Sequence, residues 1–194
     1  AGSGPERLLG MAFDIGTTTV VGYLVDLTSG EQLAVSSLLN PQTRYGDDVV
    51  SRIDYSTRSV DGVTTLQQEV VGALNTVIAA TARSAGVSSE DILGVTVVGN
   101  TTMQHLFLGI SPAALAQAPY VPVTSDAACV RASDLGLAVD PEAHVWALPN
   151  IAGWVGADTV GLILSTSVHL QEQPTLALDI GTNGEMAMGS RQRL

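Results

Sequence analysis

The sequence predicts an α/β protein: one lobe with a three-stranded antiparallel meander, parallel strands and flanking helices, followed by the first hairpin of a second lobe. Three observations predict it. Residues 9–27 read as two apolar strands joined by the tight turn Asp14-Ile15-Gly16-Thr17-Thr18. Residues 175–188 repeat that pattern, with Asp179-Ile180-Gly181-Thr182 at the turn. Between the copies lie a long amphipathic segment of helical spacing and short, unbroken apolar runs of the kind buried in parallel sheets. Two copies of one hairpin so far apart suggest two related lobes, each offering one tip to the same ligand.

In chain order, residues 9–13 are an apolar run and residues 20–27 a second one rich in β-branched residues. Gly16 is expected where a positive φ is cheap. Ser29-Gly30 turns the chain into a third strand at residues 31–40, completing the meander. Asn40-Pro41 predicts a loop, and a short helix begins near Gly46-Asp47 with acidic residues facing the positive end of its dipole. Arg44 and Arg52 read as solvated surface arginines, with contact to a phosphate or a partner as the alternative. The strongest helix is residues 63–85: Val63, Leu66, Val70, Leu74, Val77, Ile78 and Ala82 share one face, and Gly86 ends it as a left-handed cap. Residues 93–98 form a central buried strand. Gly99-Asn100-Thr101-Thr102 ends it, with Thr101 or Thr102 capping a helix that runs to about Leu108.

His105 reads as a packed or surface histidine, since no second histidine stands four residues on to make a metal pair. Ser111-Pro112 opens a short helical turn. Residues 119–123 are expected to be extended around their two prolines, and residues 119–143 as a whole read as loop. Residues 144–149 are the next strand. The small residues of 150–158 lead into a helix from about Val155 to His169, and residues 171–174 cross to the second hairpin. Residues 1–7 look like a linker or an expression remnant; they lack the apolar region of a signal peptide.

The turns have a chemical reading. The backbone N–H groups of residues 16–19 and the hydroxyls of Thr17 and Thr18 pack many donors into a small concavity that suits phosphate. Asp14 cannot face a phosphate directly; it needs a cation between, best Mg²⁺ with its own waters. A single such turn is equally an ordinary Thr-rich hairpin. The second copy favours the functional reading, making Gly16, Thr17, Thr18, Gly181, Thr182, Asn183 and Gly184 phosphate-binding candidates and Asp14 and Asp179 metal candidates. Ligands of open α/β sheets lie beyond the carboxyl ends of strands. Asn100 is therefore a candidate to hold a water or a γ-phosphate oxygen, with a helix cap as the alternative. Asp158 follows Gly156-Ala157, which leave no bulk between it and the cleft, so it can orient an attacking water or bind Mg²⁺ through water. The alternative is the ordinary preference for acids in a helix's first turn.

Composition narrows the classes. With 45% hydrophobic and 14% charged residues the chain is globular rather than disordered. A net charge of −11 argues against nucleic acid or an anionic membrane as the main partner. There is no lysine, which excludes a Walker-type phosphate loop and a chaperone-type catalytic lysine. Cys129 is the sole cysteine, so the chain can hold neither an internal disulfide nor an iron–sulfur cluster of its own. No apolar stretch is long enough to span a bilayer, and a cytoplasmic location is expected.

The order of elements, with its two Asp-Ile-Gly-Thr hairpins, resembles the actin-like ATPase (ribonuclease H-like) superfamily of sugar kinases, actin and heat-shock chaperones. The hairpins match its phosphate 1 and phosphate 2 motifs, and residues 152–158 match the region of its first connecting helix. Within it, Asn40-Pro41-Gln42 with Tyr45-Gly46-Asp47-Asp48-Val49-Val50-Ser51-Arg52-Ile53, Val98-Gly99-Asn100-Thr101-Thr102-Met103, Gly156-Ala157-Asp158 and Leu178-Asp179-Ile180-Gly181-Thr182-Asn183-Gly184-Glu185 are similar to one family, the ATP-dependent reductive activators of corrinoid proteins.

That resemblance implies ATP and Mg²⁺ as ligands and a corrinoid protein as partner. It also implies that ATP use drives Co(II) to Co(I) in that partner, and that a 2Fe-2S ferredoxin domain lies upstream. Residues 8–170 then correspond to the first lobe and residues 171–194 to a truncated start of the second, so this piece is expected to hydrolyse ATP weakly or not at all. Its last hairpin, at residues 176–188, would lack a lobe of its own, and a homodimer through it, or poor order near residue 190, is expected. The alternatives are a small-molecule kinase of the same superfamily with Asp158 as base, and an interaction module without chemistry.

Overall fold

The computed structural model describes residues 7–181 and 184–193. Strands β1 (Leu9–Ile15), β2 (Thr19–Asp26) and β3 (Gln32–Leu39) form the expected meander. Their side chains alternate: Leu9, Met11, Phe13 and Ile15 of β1 are buried, whereas Asp14 points to the opposite face. Then come α1 (Val49–Arg58), α2 (Gly62–Ala85), β4 (Ile92–Gly99), α3 (Thr101–Phe107), β5 (Ala128–Arg131), α4 (Ala132–Leu135), β6 (His144–Ala147), α5 (Ala157–Thr166), β7 (Thr175–Ile180) and β8 (Gly184–Gly189). The first six strands make one sheet in the order β3-β2-β1-β4-β6-β5, and β7 and β8 pair separately. β1, β4 and β6 are parallel neighbours, while β5 runs antiparallel to β6 at the edge.

Helix α2 lays Leu66, Val70, Leu74, Val77 and Ile78, all fully buried, against β2 and β3. Each such side chain contributes roughly 1.5–3 kcal/mol by leaving water. Gly86 ends the helix at φ 69°, as its sequence position predicts. Helix α3 is short and buried along its whole length, including His105, which is 1% exposed. The His105 ring contacts the Thr101 carbonyl through Nδ1 and accepts the Val123 N–H at Nε2, so of the two expected readings, packed or surface, it is the packed one.

Several local expectations are corrected. Residues 119–143 are not all loop, because β5 and α4 lie within them; four residues at an edge are too short to show a period. Tyr120 has φ 61°, so the segment around the two prolines is not extended throughout. The stretch after Asn40 is a 3₁₀ turn, Pro41–Tyr45, capped by the Asn40 side chain. Gly16 does not have a positive φ; its need is for space, since a Cβ there would lie 2.7 Å from the Thr19 carbonyl oxygen. The cap of α3 is Asn100, not a threonine.

The register positions the site. Ile15 at the end of β1 sits beside Gly99 at the end of β4, so residues 16–19 and Asn100 leave the sheet side by side. The start of α5 closes the same end. Gly156 is packed so tightly that a Cβ would stand 2.5 Å from the Asn100 Cα and 2.7 Å from the Gly99 carbonyl oxygen. Helix α5 then packs on β7 and β8, bringing the second hairpin back to the first.

Candidate functional site

At this end of the sheet lies a cavity of about 230 Å³. One wall is the tip of the first hairpin: Asp14, Gly16, Thr17, Thr18 and Thr19, with Val21 behind. Asn100 and Asp158 form the floor, from the ends of β4 and α5, and the facing wall is Asp179, Gly181 and Glu185. The structure thus brings Asp14, Gly16, Thr17, Thr18, Asn100, Asp158, Asp179 and Gly181 to one cavity. Gly184, the first residue of β8, is exposed and is not among the lining residues. Thr182 and Asn183 lie outside the described residues.

The first tip is held from the lobe side. Its three successive carbonyls all have donors there: Gly16 from Asn40 Nδ2 at 2.8 Å, Thr17 from Arg52 Nη2, and Thr18 from Asn40 N at 2.8 Å. The Thr17 hydroxyl accepts from Asn100 Nδ2 at 3.0 Å, while Asn100 Oδ1 caps α3 by accepting the Met103 N–H at 3.0 Å. The two readings of Asn100 are therefore compatible, because one amide caps a helix and lines the cavity at once.

The electrostatics are dominated by four carboxylates. Asp14 keeps solvent access along the cleft, yet partial loss of hydration pushes its pKa up to about 6, with Asp158 and Asp179 adding repulsion. Burial also raises the Asp158 pKa and Asp179 adds to the rise, while the Thr159 N–H, donating to Oδ1 at 2.7 Å, opposes it. Glu185 is raised by desolvation, then by Asp158 and Asp179. Such a group of acids favours a cation. Among the described residues, however, no three His, Cys, Asp or Glu side chains could hold a metal ion between them. The donor set fits a hydrated Mg²⁺ that also takes ligand oxygens, rather than a cage built by the protein alone.

Sequence reasoning missed Glu185 and the supports of the first tip. The register sets Glu185 opposite Asp179, at the place Val21 holds opposite Asp14. A strand period of two from the tip would have found it. Arg52 is not a surface arginine; it is 0% exposed. The signal was present, since Val49, Arg52, Ile53 and Ser56 are the buried face of α1 and keep helical spacing. Arg44, by contrast, is exposed and pairs with Glu69 at 3.5 Å, as expected of a surface arginine.

The class of protein follows from fold and site together: a mixed α/β lobe in which acids from two hairpins line one cavity. The chain belongs to the RACo middle region family, whose model matches residues 9–171. It is 38% identical over 185 residues to the corrinoid activation enzyme RamQ of Eubacterium limosum, covering 95% of this chain and 31% of that protein. It also matches the structure of a reductive activator for corrinoid, iron-sulfur protein at TM-score 0.95 and 40% identity, over 99% of this chain and 31% of that one. The chain thus spans under a third of the length of these relatives. A putative 2-dehydro-3-deoxygalactonokinase from Sinorhizobium meliloti aligns at TM-score 0.50 and 14% identity, over 95% of this chain and 50% of that one, a likeness of fold alone. Among the described residues no helix is long and apolar enough to cross a membrane.

Proposed function

We propose that this chain is the nucleotide-binding part of an ATP-dependent reductive activator that acts on a corrinoid protein. In this reading residues 8–170 are the first lobe and residues 171–194 the start of the second. The observation that carries it is the convergence of two Asp-Ile-Gly hairpins on one cavity rich in carboxylates. The names of the relatives support the partner.

The amides and hydroxyls of Thr17 and Thr18 hold phosphate from one side, with Gly16, whose own N–H donates to the Thr19 carbonyl at 3.0 Å, giving the backbone its close approach, and Gly181, Thr182 and Asn183 hold it from the other. Asp14 and Asp179 bind Mg²⁺ with water between. Asn100 and Asp158 place the attacking water, Asp158 accepting its proton. Mg²⁺·ATP supplies the charge that lets acids from both hairpins approach one another, together with the phosphoanhydride whose cleavage releases them. Closure therefore follows binding and opening follows hydrolysis. In the whole protein this motion drives reduction of Co(II) to Co(I) in the corrinoid partner, with a 2Fe-2S domain elsewhere in the protein supplying the electron.

The test uses a full-length chain that carries these residues. Calorimetry with ATP and Mg²⁺ is expected to show binding that Asp14→Ala and Asp179→Ala each weaken by about a hundredfold. Both variants should stop ATP-dependent appearance of the Co(I) absorbance in the corrinoid partner. Reduction that proceeds equally well without ATP, or binding untouched by both substitutions, overturns the reading.

A further inference from the structure

Beneath the first tip lies a charge that the proposed chemistry does not use. Arg52 is fully buried, yet each of its acceptors is neutral. Its Nε donates to the Gly46 carbonyl at 2.9 Å, Nη1 to Gln42 Oε1 at 3.2 Å and to Met103 Sδ at 3.2 Å, and Nη2 to the Thr17 carbonyl. The Gln42 amide is itself oriented, because its Nε2 donates to the Leu66 carbonyl at 2.8 Å. Asp47 and Asp48, at the entry to α1, are the acids that act on the guanidinium from a distance, and with a pKa lowered by burial to about 10 it stays cationic at neutral pH.

A guanidinium enclosed without an ion pair is expensive to keep. Its position suggests what offsets the cost. Thr17 lines the cavity, and its carbonyl is the group Arg52 holds. In a trans peptide the carbonyl and the following N–H point in opposite directions. Drawing the Thr17 oxygen into the lobe turns the other edge of that peptide towards the cleft. The cleft itself is lined by four carboxylates that repel a polyphosphate. A cation one peptide behind the tip, screened from water by protein, acts on an anion there far more strongly than a surface arginine would.

We propose that Arg52 is the positioning residue and buried counter-charge of the first phosphate tip, so that the affinity it confers grows with the number of phosphates on the ligand. This rests on the nucleotide reading above. The test is displacement of a fluorescent ATP analogue from the full-length chain by ATP, ADP and AMP, each with Mg²⁺, using wild type, Arg52→Met and Arg52→Lys. Arg52→Met is expected to weaken ATP by about tenfold or more, ADP less and AMP least, collapsing the ATP-to-AMP affinity ratio. Arg52→Lys keeps the charge but loses the fork, so all three ligands weaken by a common factor and the ratio persists. A purely structural role would lower the melting temperature and leave the ratio unchanged in Arg52→Met; that result overturns the assignment. Should Arg52→Met fail to fold, a collapsed ratio in Arg52→Lys overturns it equally. A wild type that binds none of the three overturns the nucleotide reading and Arg52's role with it, whereas wild-type binding with an unchanged ratio in Arg52→Met overturns Arg52's role alone.

Discussion

The two hairpins carry the same turn in very different settings. Met11, Phe13 and Ile15 of β1 are 3%, 2% and 1% exposed; their counterparts Leu176, Leu178 and Ile180 of β7 are 53%, 51% and 88% exposed. The other faces agree, since Ala177 and Ala187 are buried towards α5 and Asp179 lies beside them, as Asp14 lies beside Ala12. One hairpin is the centre of a six-stranded sheet, and the other is a two-stranded ribbon resting on α5. The turn's chemistry therefore belongs to its local sequence, while the stability of each strand belongs to whatever covers it.

Truncating matched side chains in the two hairpins should give the largest difference between them. Phe13→Ala is expected to cost about 3–5 kcal/mol, because it empties a packed site between the sheet and α2. Leu178→Ala at the equivalent place should change stability by no more than about 0.5 kcal/mol in the 194-residue chain. Urea denaturation of both variants measures the difference, and equal losses would show that the second hairpin is covered in solution.

A smaller effect probes the joint between the two settings. Gly156→Ala puts a methyl group against the Asn100 Cα and the Gly99 carbonyl, which are backbone and cannot swing aside. The expected loss is about 1–3 kcal/mol, with α5 pushed away from β4 and Asp158 carried with it. Thermal melts should show the loss, and Mg²⁺·ATP affinity should fall further than in a surface Gly→Ala control such as Gly72, where a Cβ meets open space.

Asn100 allows the two jobs of one amide to be separated. Asn100→Ala removes both the α3 cap and the bond to the Thr17 hydroxyl, at an expected cost of about 0.5–2 kcal/mol. Asn100→Ser restores a cap but cannot span to Thr17, so it should recover most of the stability and little of the nucleotide affinity. Recovery of both in denaturation and binding measurements would reduce Asn100 to a helix cap.

Much of the fold was legible because its elements have strong periods. The meander, the 24-residue helix α2 and the apolar strand β4 all announce themselves through spacing and through their glycine ends. The candidate site was legible where it repeats, at Asp14 and Asp179, and where small residues precede an acid, at Asp158. What stayed hidden depends on contacts between distant segments. Arg52 looks like any charged residue until the helix around it is phased, and its acceptors come from residues 17, 42, 46 and 103. Strand β5 was hidden because four residues at a sheet edge derive their conformation from pairing with β6, where Cys129 faces Trp146.

The subtlest test asks whether the acids behave as the comparison requires when no ligand is present. Asp14 has a folded pKa of about 6 against 3.8 for an ordinary aspartate. Between those values the folded chain keeps a proton that the unfolded chain has lost. Its contribution to stability is therefore fully present below pH 3.8 and is lost as pH rises through about 6. Asp158 and Glu185, raised in the same sense, add to this fall, while the α1 cap Asp48, with its lowered pKa, pulls the other way. Comparing wild type with Asp14→Asn cancels the Asp48 trend. The substitution should flatten the decline in melting temperature between pH 4.5 and 7.5 and leave the ligand-free chain slightly more stable at the upper end. Adding Mg²⁺ and nucleotide should reverse the wild-type slope above pH 6, because the ionised carboxylate is then the form that is held, and should leave Asp14→Asn unmoved. Parallel curves for the two proteins, with and without ligand, would mean that Asp14 is an ordinary solvated acid at the end of a strand.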